Sequence, residues 1–500
     1  MHSVDTTEHH PVTDDRLHRI LRFLPTVAVV VAMRAKFIGP PFLADEGGYL
    51  AIARAWGRGA TLYRDVWIDR PQGLVVIFRA LWTLGLGSAT GVRLLGLAAC
   101  LLLAAACGSI AASLAGERAR PYAAFAVGVL TSVPQLEGFA VNGELLGSAV
   151  GACCLALTLR AVWRQPEPDT RLLAVAGALA VGAMSIKQSG FDAPAAAAFV
   201  IVVAGFRLRW PRTTTRRVAL HAASGGAAVA IALATHGAIT GWHRWWYAIV
   251  GYRLDNRSAL TGANWEQFHR TWSIASPVLV PVAVLVVGLA LAAAATSRVS
   301  WDAAVPVVWG AASTVAFFLG GLFHRHYWLL LMPPLGTALA ALAARWRWTV
   351  IPVAASVIAV FAPLRLTMDS LDGSRVAALM RVTGDSRPVL QAPIASWFAT
   401  HAGPDDQMYV MCFGADVYGA IDADPPYPYL WYLNIRDIDG AVDQMVDMLT
   451  GARAPRFVVQ YQSPQTCDPT GAVASALDQH YRAVAVVAGV TVFERTSSPP

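Results

Sequence analysis

The chain is built from apolar runs too long and too numerous to be core elements of a soluble domain. Stretches at 20–38, 93–115, 121–138, 143–162, 172–188, 190–206, 218–239, 274–296, 302–322, 327–344 and 349–366 are mostly apolar. Each holds roughly 17 or more residues, the length at which a helix crosses the hydrocarbon of a bilayer. Eleven such runs predict an α-helical integral membrane protein, and a composition of 56% hydrophobic against 14% charged residues agrees. The first run contains Arg34 and no small-residue cleavage pattern follows it, so it reads as an anchor and not a removed signal peptide. Residues 71–87 are apolar but short, with Arg79 in their middle, and read as an interfacial or re-entrant helix.

Charge orients the spans. With the N-terminus inside, the short inner loops at 116–120, 160–171, 207–217, 297–301 and 345–348 carry thirteen Lys and Arg residues, against two in the outer loops near Asn142, Lys187 and Arg325. Counting 71–87 as a span would invert that asymmetry, against the positive-inside rule. Lys and Arg scattered this way form no stripe with interleaved aromatics, so the net charge of +7 does not indicate nucleic acid. The same threading collects ionisable residues at the outer surface: Asp45-Glu46, Asn142-Gly-Glu144, Lys187-Gln188, the Trp-rich stretch 242–272, His324-Arg-His-Tyr327 and everything after about residue 366.

Beyond Leu366 the composition turns polar. Helix-like pieces at 392–402, 438–449 and 471–481 alternate with short apolar runs at 408–413, 457–461, 484–487 and 491–494, the rhythm of a small α/β domain. The expected organisation is a tail at 1–19, a membrane domain at 20–366 and an extracytoplasmic α/β domain at 367–500 that covers the outer site. Cys100, Cys107, Cys153 and Cys154 lie in apolar spans and read as packing residues. Cys412 and Cys467 would pair if their domain faces an oxidising compartment, although spacing alone does not establish it.

Asp45 and Glu46 are the first candidates for chemistry, since carboxylates near a membrane surface stay ionised only against water, a cation or a polar substrate. Asp45 precedes Tyr49, Ile52, Ala53 and Trp56 at helical spacing and is expected to cap a surface-lying helix. The Gly47-Gly48 pair would let a bulky ligand approach the backbone. Glu144 opens a span after an Asn142-Gly143 turn. Two carboxylates from different outer loops suit either a base with an orienting partner or two ligands to a hard divalent cation, and the sequence leaves both open. Lys187, Arg325, His326, Arg64, Arg70, Arg253 and Arg257 supply cationic groups at headgroup level, suited to a phosphate on a lipid carrier.

Asp45-Glu46 after the first span, Tyr63-Arg-Asp65, Asp69-Arg-Pro71, Asn142-x-Glu144, Ile186-Lys-Gln-Ser-Gly190, and His326-Tyr327 leading to Met332-Pro-Pro334 together resemble the GT-C glycosyltransferases. The nearest likeness is to the protein O-mannosyltransferase and aminoarabinose transferase group, over about residues 20–366. The resemblance implies sugar transfer from a polyprenyl-phosphate donor to an envelope glycan, lipid or protein at the outer face of a bacterial cytoplasmic membrane, without a nucleotide sugar. By position, Asp45 would be the general base, with Glu46 and Glu144 orienting acceptor or donor. Lys187, Arg325, His326 and Arg70 would hold the donor phosphate, and Tyr49, Asn142, Gln188 and Tyr327 the acceptor or sugar. The chain has no β-trefoil segment like that of eukaryotic protein mannosyltransferases, and its acids are sparser than in metal-dependent relatives. A transporter or flippase of a lipid-linked saccharide is the alternative, but a flippase needs access from both faces and these ionisable residues gather at one.

Overall fold

The computed structural model describes residues 12–255, 262–296, 301–346 and 350–496; Arg257 and parts of the inner loops at 297–301 and 345–348 fall outside them. Among the described residues, seven helices are long and apolar enough to cross a membrane: Ala89–Ala115, Gly143–Val162, Arg212–Thr240, Gly262–Ala295, Trp301–Gly320, Arg325–Ala343 and Val353–Ser370. The expected spans at 20–38, 172–188 and 190–206 coincide with Val12–Ala35, Thr170–Ile186 and Asp192–Arg207, which are more charged or shorter. Residues 71–87 form the helix Gln72–Thr83, too short to cross.

The expected span at 121–138 is not one helix. The helix Ala119–Leu130 has 12 residues, about 18 Å of rise. Thr131 and Ser132 turn their hydroxyls back onto the carbonyls of Val127 and Gly128, Pro134 supplies no N–H, and Glu137 adopts a left-handed conformation at φ 56°. Buried Arg34 stabilises this break by donating to the Ser132 hydroxyl and the Thr131 carbonyl, both at 3.1 Å. Beyond Leu130 the chain therefore continues as irregular backbone inside protein, where side chains satisfy it.

After residue 371 the chain forms a mixed four-stranded sheet with helices packed on it. The strands are β1 (Met408–Val410), β2 (Phe457–Val459), β3 (Tyr481–Val487) and β4 (Val490–Arg495), in the order β1-β2-β4-β3. β1 pairs parallel with β2, Met408 opposite Phe457, while β4 runs antiparallel to both β2 and β3. Ala488 and Gly489, both at positive φ, make the tight turn between β3 and β4. Cys412 and Cys467 form a disulfide.

This region is docked on the first loop of the membrane half. Arg54 donates to the carbonyls of Tyr418, Ile421 and Ala423, and the Gln391 amide brackets Phe42, accepting from its N–H at 3.0 Å and donating to its carbonyl at 2.7 Å. The Gly47-Gly48 pair serves this contact and not a ligand. A Cβ on Gly47 would lie 2.7 Å from the Asp416 Cα, and one on Gly48 2.6 Å from the Trp431 ring. The helix Ala44–Gly57 is consequently buried along most of its length instead of lying on a membrane surface. We expect Gly47→Ala to destabilise the protein by about 1–3 kcal/mol through overpacking, seen as a lower melting temperature in detergent. Gly288→Ala, where a Cβ meets nothing within 4 Å, should leave melting unchanged or slightly raised.

Candidate active site

The helix Ala44–Gly57 begins one residue before the paired carboxylates, so Leu43 is its cap and Asp45 and Glu46 sit in its first turn. About 100° of helical rotation separates adjacent side chains, which sends the two in different directions. Glu46 points into protein. Its oxygens take a bidentate pair from Arg93, at 2.6 and 2.7 Å, and accept the N–H groups of Val141 at 3.0 Å and Leu43 at 3.1 Å. Both side chains of the pair are 1% exposed. Glu46 therefore has its capacity filled by protein, although it also borders the larger hollow: it closes the first helical turn and ties it to the start of Ala89–Ala115 and to the 139–142 segment.

Asp45 is partly exposed and faces two adjoining hollows. The larger, about 480 Å³, is walled by Asp45, Glu137, Asn142, Asp385, Arg387 and Phe413, among others. The smaller, about 90 Å³, is walled by Asp45, Tyr49, Asp69, Arg70, Arg253 and Tyr327, among others. Asp45, His324, His326, Trp431 and Leu433 border both, so Asp45 stands at the seam.

The smaller lobe is the cationic one. Asp69 accepts Arg70 at 2.6 Å and Arg253 on the same oxygen, aligning two guanidinium groups. Burial opposes the Asp69 charge, but Arg253 and Arg70 outweigh it and hold its pKa at about 2. The Arg70 Nε is buried with no protein partner. Tyr49 lies within reach of Asp45, and burial together with that carboxylate pushes its phenol pKa well up, keeping it a neutral donor.

A chain of ionisable groups adjoins the two hollows. His326 Nδ1 lies 2.7 Å from Glu137, its Nε2 is 3.8 Å from Glu144, and Glu144 is ion-paired with Lys187. Lys187 sits behind Tyr327, its ammonium 4.1 Å from the ring centroid. Glu144 and Lys187 thus underlie the cavity floor, satisfying each other, instead of facing a donor phosphate directly. Among the described residues no group of three His, Cys, Asp or Glu side chains is placed to hold a metal ion.

Other expected site residues are placed elsewhere. Arg325 donates to the Val382 carbonyl and anchors the C-terminal region, and Gln188 donates to the carbonyls of Asp69 at 2.9 Å and Ile249 at 3.1 Å. Neither borders a lobe, so the structure does not bring Arg325 or Gln188 to the cavity walls where the phosphate and sugar roles would place them. Asn142 caps Gly143–Val162 through Oδ1, at 2.9 Å from the Leu145 nitrogen, while its Nδ2 is left without a protein partner in the wall of the larger lobe. Glu137, Asp385, Arg387, Phe413 and Trp431 had no sequence signal beyond residue type. Glu137 lay inside an expected span, and the others come from the C-terminal region.

No family model and no curated protein matches the sequence. Solved structures do match the fold. ArnT from Cupriavidus metallidurans bound to undecaprenyl phosphate aligns over 97% of this chain and 99% of its own, at 16% identity and TM-score 0.60. Its apo form gives 14% identity and 0.61 over 97% and 100%. The archaeal oligosaccharyltransferase AglB from Archaeoglobus fulgidus, in complex with an inhibitory peptide and a dolichol-phosphate, aligns over 97% of this chain and 75% of its own, at 10% and 0.52. The chain has the GT-C fold.

The two neighbouring carboxylates should separate cleanly by substitution. Glu46→Ala leaves Arg93 buried without its partner and should cost about 3–5 kcal/mol, measured as loss of folded protein or a large drop in melting temperature. Asp45→Asn should melt within a degree or two of the parent.

Proposed function

We propose that this chain is a membrane glycosyltransferase that moves a sugar from a polyprenyl-phosphate carrier to a hydroxyl acceptor at the outer face of a bacterial cytoplasmic membrane. The observation that carries the reading is the position of Asp45 at the seam between a lobe walled by Arg70 and Arg253 and a larger lobe with no such cationic pair. Undecaprenyl phosphate, bound by the ArnT of similar fold, is the kind of donor carrier that suits the cationic lobe.

In this reaction the Asp45 carboxylate takes the proton of the acceptor hydroxyl as its oxygen attacks the anomeric carbon. The bond from that carbon to the carrier phosphate breaks with its electron pair going to the phosphate oxygen. Charge grows on the leaving phosphate, where Arg70 and Arg253 stabilise it most in the transition state. Asp69 fixes their orientation and remains ionised across the physiological range. Tyr49 donates toward Asp45, and Lys187 with Glu144 supports the floor. Acceptor attack from the face opposite the phosphate inverts the anomeric centre.

The eleven-span threading, with residues 20–366 in the membrane and 367–500 outside, is part of this proposal. Positive-inside charge supports it, as does a disulfide at Cys412 and Cys467, which belongs to an oxidising compartment. Purified protein in nanodiscs, given a polyprenyl-phosphate sugar and an envelope extract, should release polyprenyl phosphate and label an acceptor. Asp45→Asn should lower turnover by about 10²–10⁴, while Arg70→Gln should lower it by about 10²–10³. Parent-like turnover in Asp45→Asn would remove the base from the mechanism.

A further inference from the structure

We propose that the larger lobe takes the acceptor as the end of a neutral saccharide, and that residues of the C-terminal region select it. This rests on the transferase reading and adds the chemical class of the second substrate.

The wall of this lobe offers hydrogen-bonding groups of both kinds. Asn142, only 2% exposed, presents Nδ2 with no protein partner because its oxygen is committed to the helix cap. The Trp431 Nε1, at the border with the donor lobe, is likewise buried without a partner. Asp45, Glu137 and Asp385 line the same space. A sugar hydroxyl donates and accepts at once, and such a mixed set matches it; an acyl chain would leave these groups unpaired.

Charge argues against a phosphorylated acceptor. The Arg387 guanidinium is held in a bidentate pair by Asp385, at 2.8 and 2.7 Å, and its face lies 3.9 Å from the Phe413 ring centroid. His324 is pushed down to about 4 by burial and by neighbouring His326, so it is neutral near pH 7. His326 faces Glu137. An anion entering here would meet the Asp45 carboxylate and a guanidinium already paired with Asp385.

Shape argues against an extended peptide. The lobe, about 480 Å³, falls in the ~300–1,000 Å³ range of small-molecule sites. None of the strands β1 to β4 borders it, so a main chain would find no sheet edge to pair with. The Phe413 and Tyr432 rings, 5.7 Å apart, instead provide aromatic faces of the kind on which sugar rings stack.

The test uses the full chain in nanodiscs, with binding read by saturation-transfer NMR. The probes are a panel of methyl glycosides of pentose and hexose disaccharides, the same disaccharides phosphorylated, a Ser/Thr-containing peptide, and undecaprenyl phosphate. At least one neutral disaccharide should bind, with tenfold or greater preference over its phosphorylated form and over the peptide. Tyr432→Ala should weaken it about tenfold and leave undecaprenyl phosphate binding unchanged. Asp385→Asn, which frees Arg387, should reverse the preference toward the phosphorylated disaccharide. No binding across the neutral panel, a parent preference for peptide or phosphorylated sugar, or neutral binding unaffected in both variants would overturn the proposal. Saccharide binding without undecaprenyl phosphate binding would instead defeat the transferase reading and leave the lobe assignment standing.

Discussion

Everything at the end of the bundle that carries the cavity depends on the buried pair between Glu46 and Arg93. A carboxylate this enclosed is tolerable only because every lone-pair direction is taken, two by the guanidinium and two by backbone N–H groups. Arg93 in turn donates to the carbonyls of Phe37 and Pro41, so one side chain collects the end of the first helix, the loop after it and the start of Ala89–Ala115. With that knot tied, the rotation of helix Ala44–Gly57 is fixed. Asp45, the adjacent residue, then has one direction left to face, the cavity.

The sequence made the membrane class and the gathering of ionisable groups legible, because both follow from local runs of apolar residues and from loop charge. What it hid was non-local. Residues 121–138 are apolar enough to count as a span, and the break at Thr131 to Glu137 depends on Arg34 from another helix, so Glu137 was masked by its own surroundings. Gly47-Gly48 signals close approach but not what approaches, and the C-terminal helix at Ala415–Ala420 supplies the answer only in three dimensions. Arg325 and Gln188 carry the right chemistry for a site and lie beside it, yet each is satisfied by a carbonyl that no spacing rule could assign.

The two hollows differ in charge for a physical reason. Asp69 is shared by Arg70 and Arg253, two cations on one anion, which leaves one guanidinium charge uncompensated by Asp69 in the small lobe, across from Asp45. Beneath it Lys187 and Glu144 cancel each other. Were Glu144 unpaired, its field would oppose the approach of any phosphate, so the buried pair protects the polarity of the site without touching a ligand.

That division follows the chain as well as space. The guanidinium groups that suit a carrier phosphate belong to loops of the membrane half, while Asp385, Arg387, Phe413 and Tyr432 belong to the region docked above it. Asp45 and Trp431 contact both lobes. In the proposed reaction, substitutions above the seam alter which hydroxyl arrives, and those below alter how the leaving phosphate is stabilised. Coupling between the two sets runs through the Gln391 clamp on Phe42 and the contact of Trp431 with Gly48, the points where the upper region fixes the turn that carries Asp45.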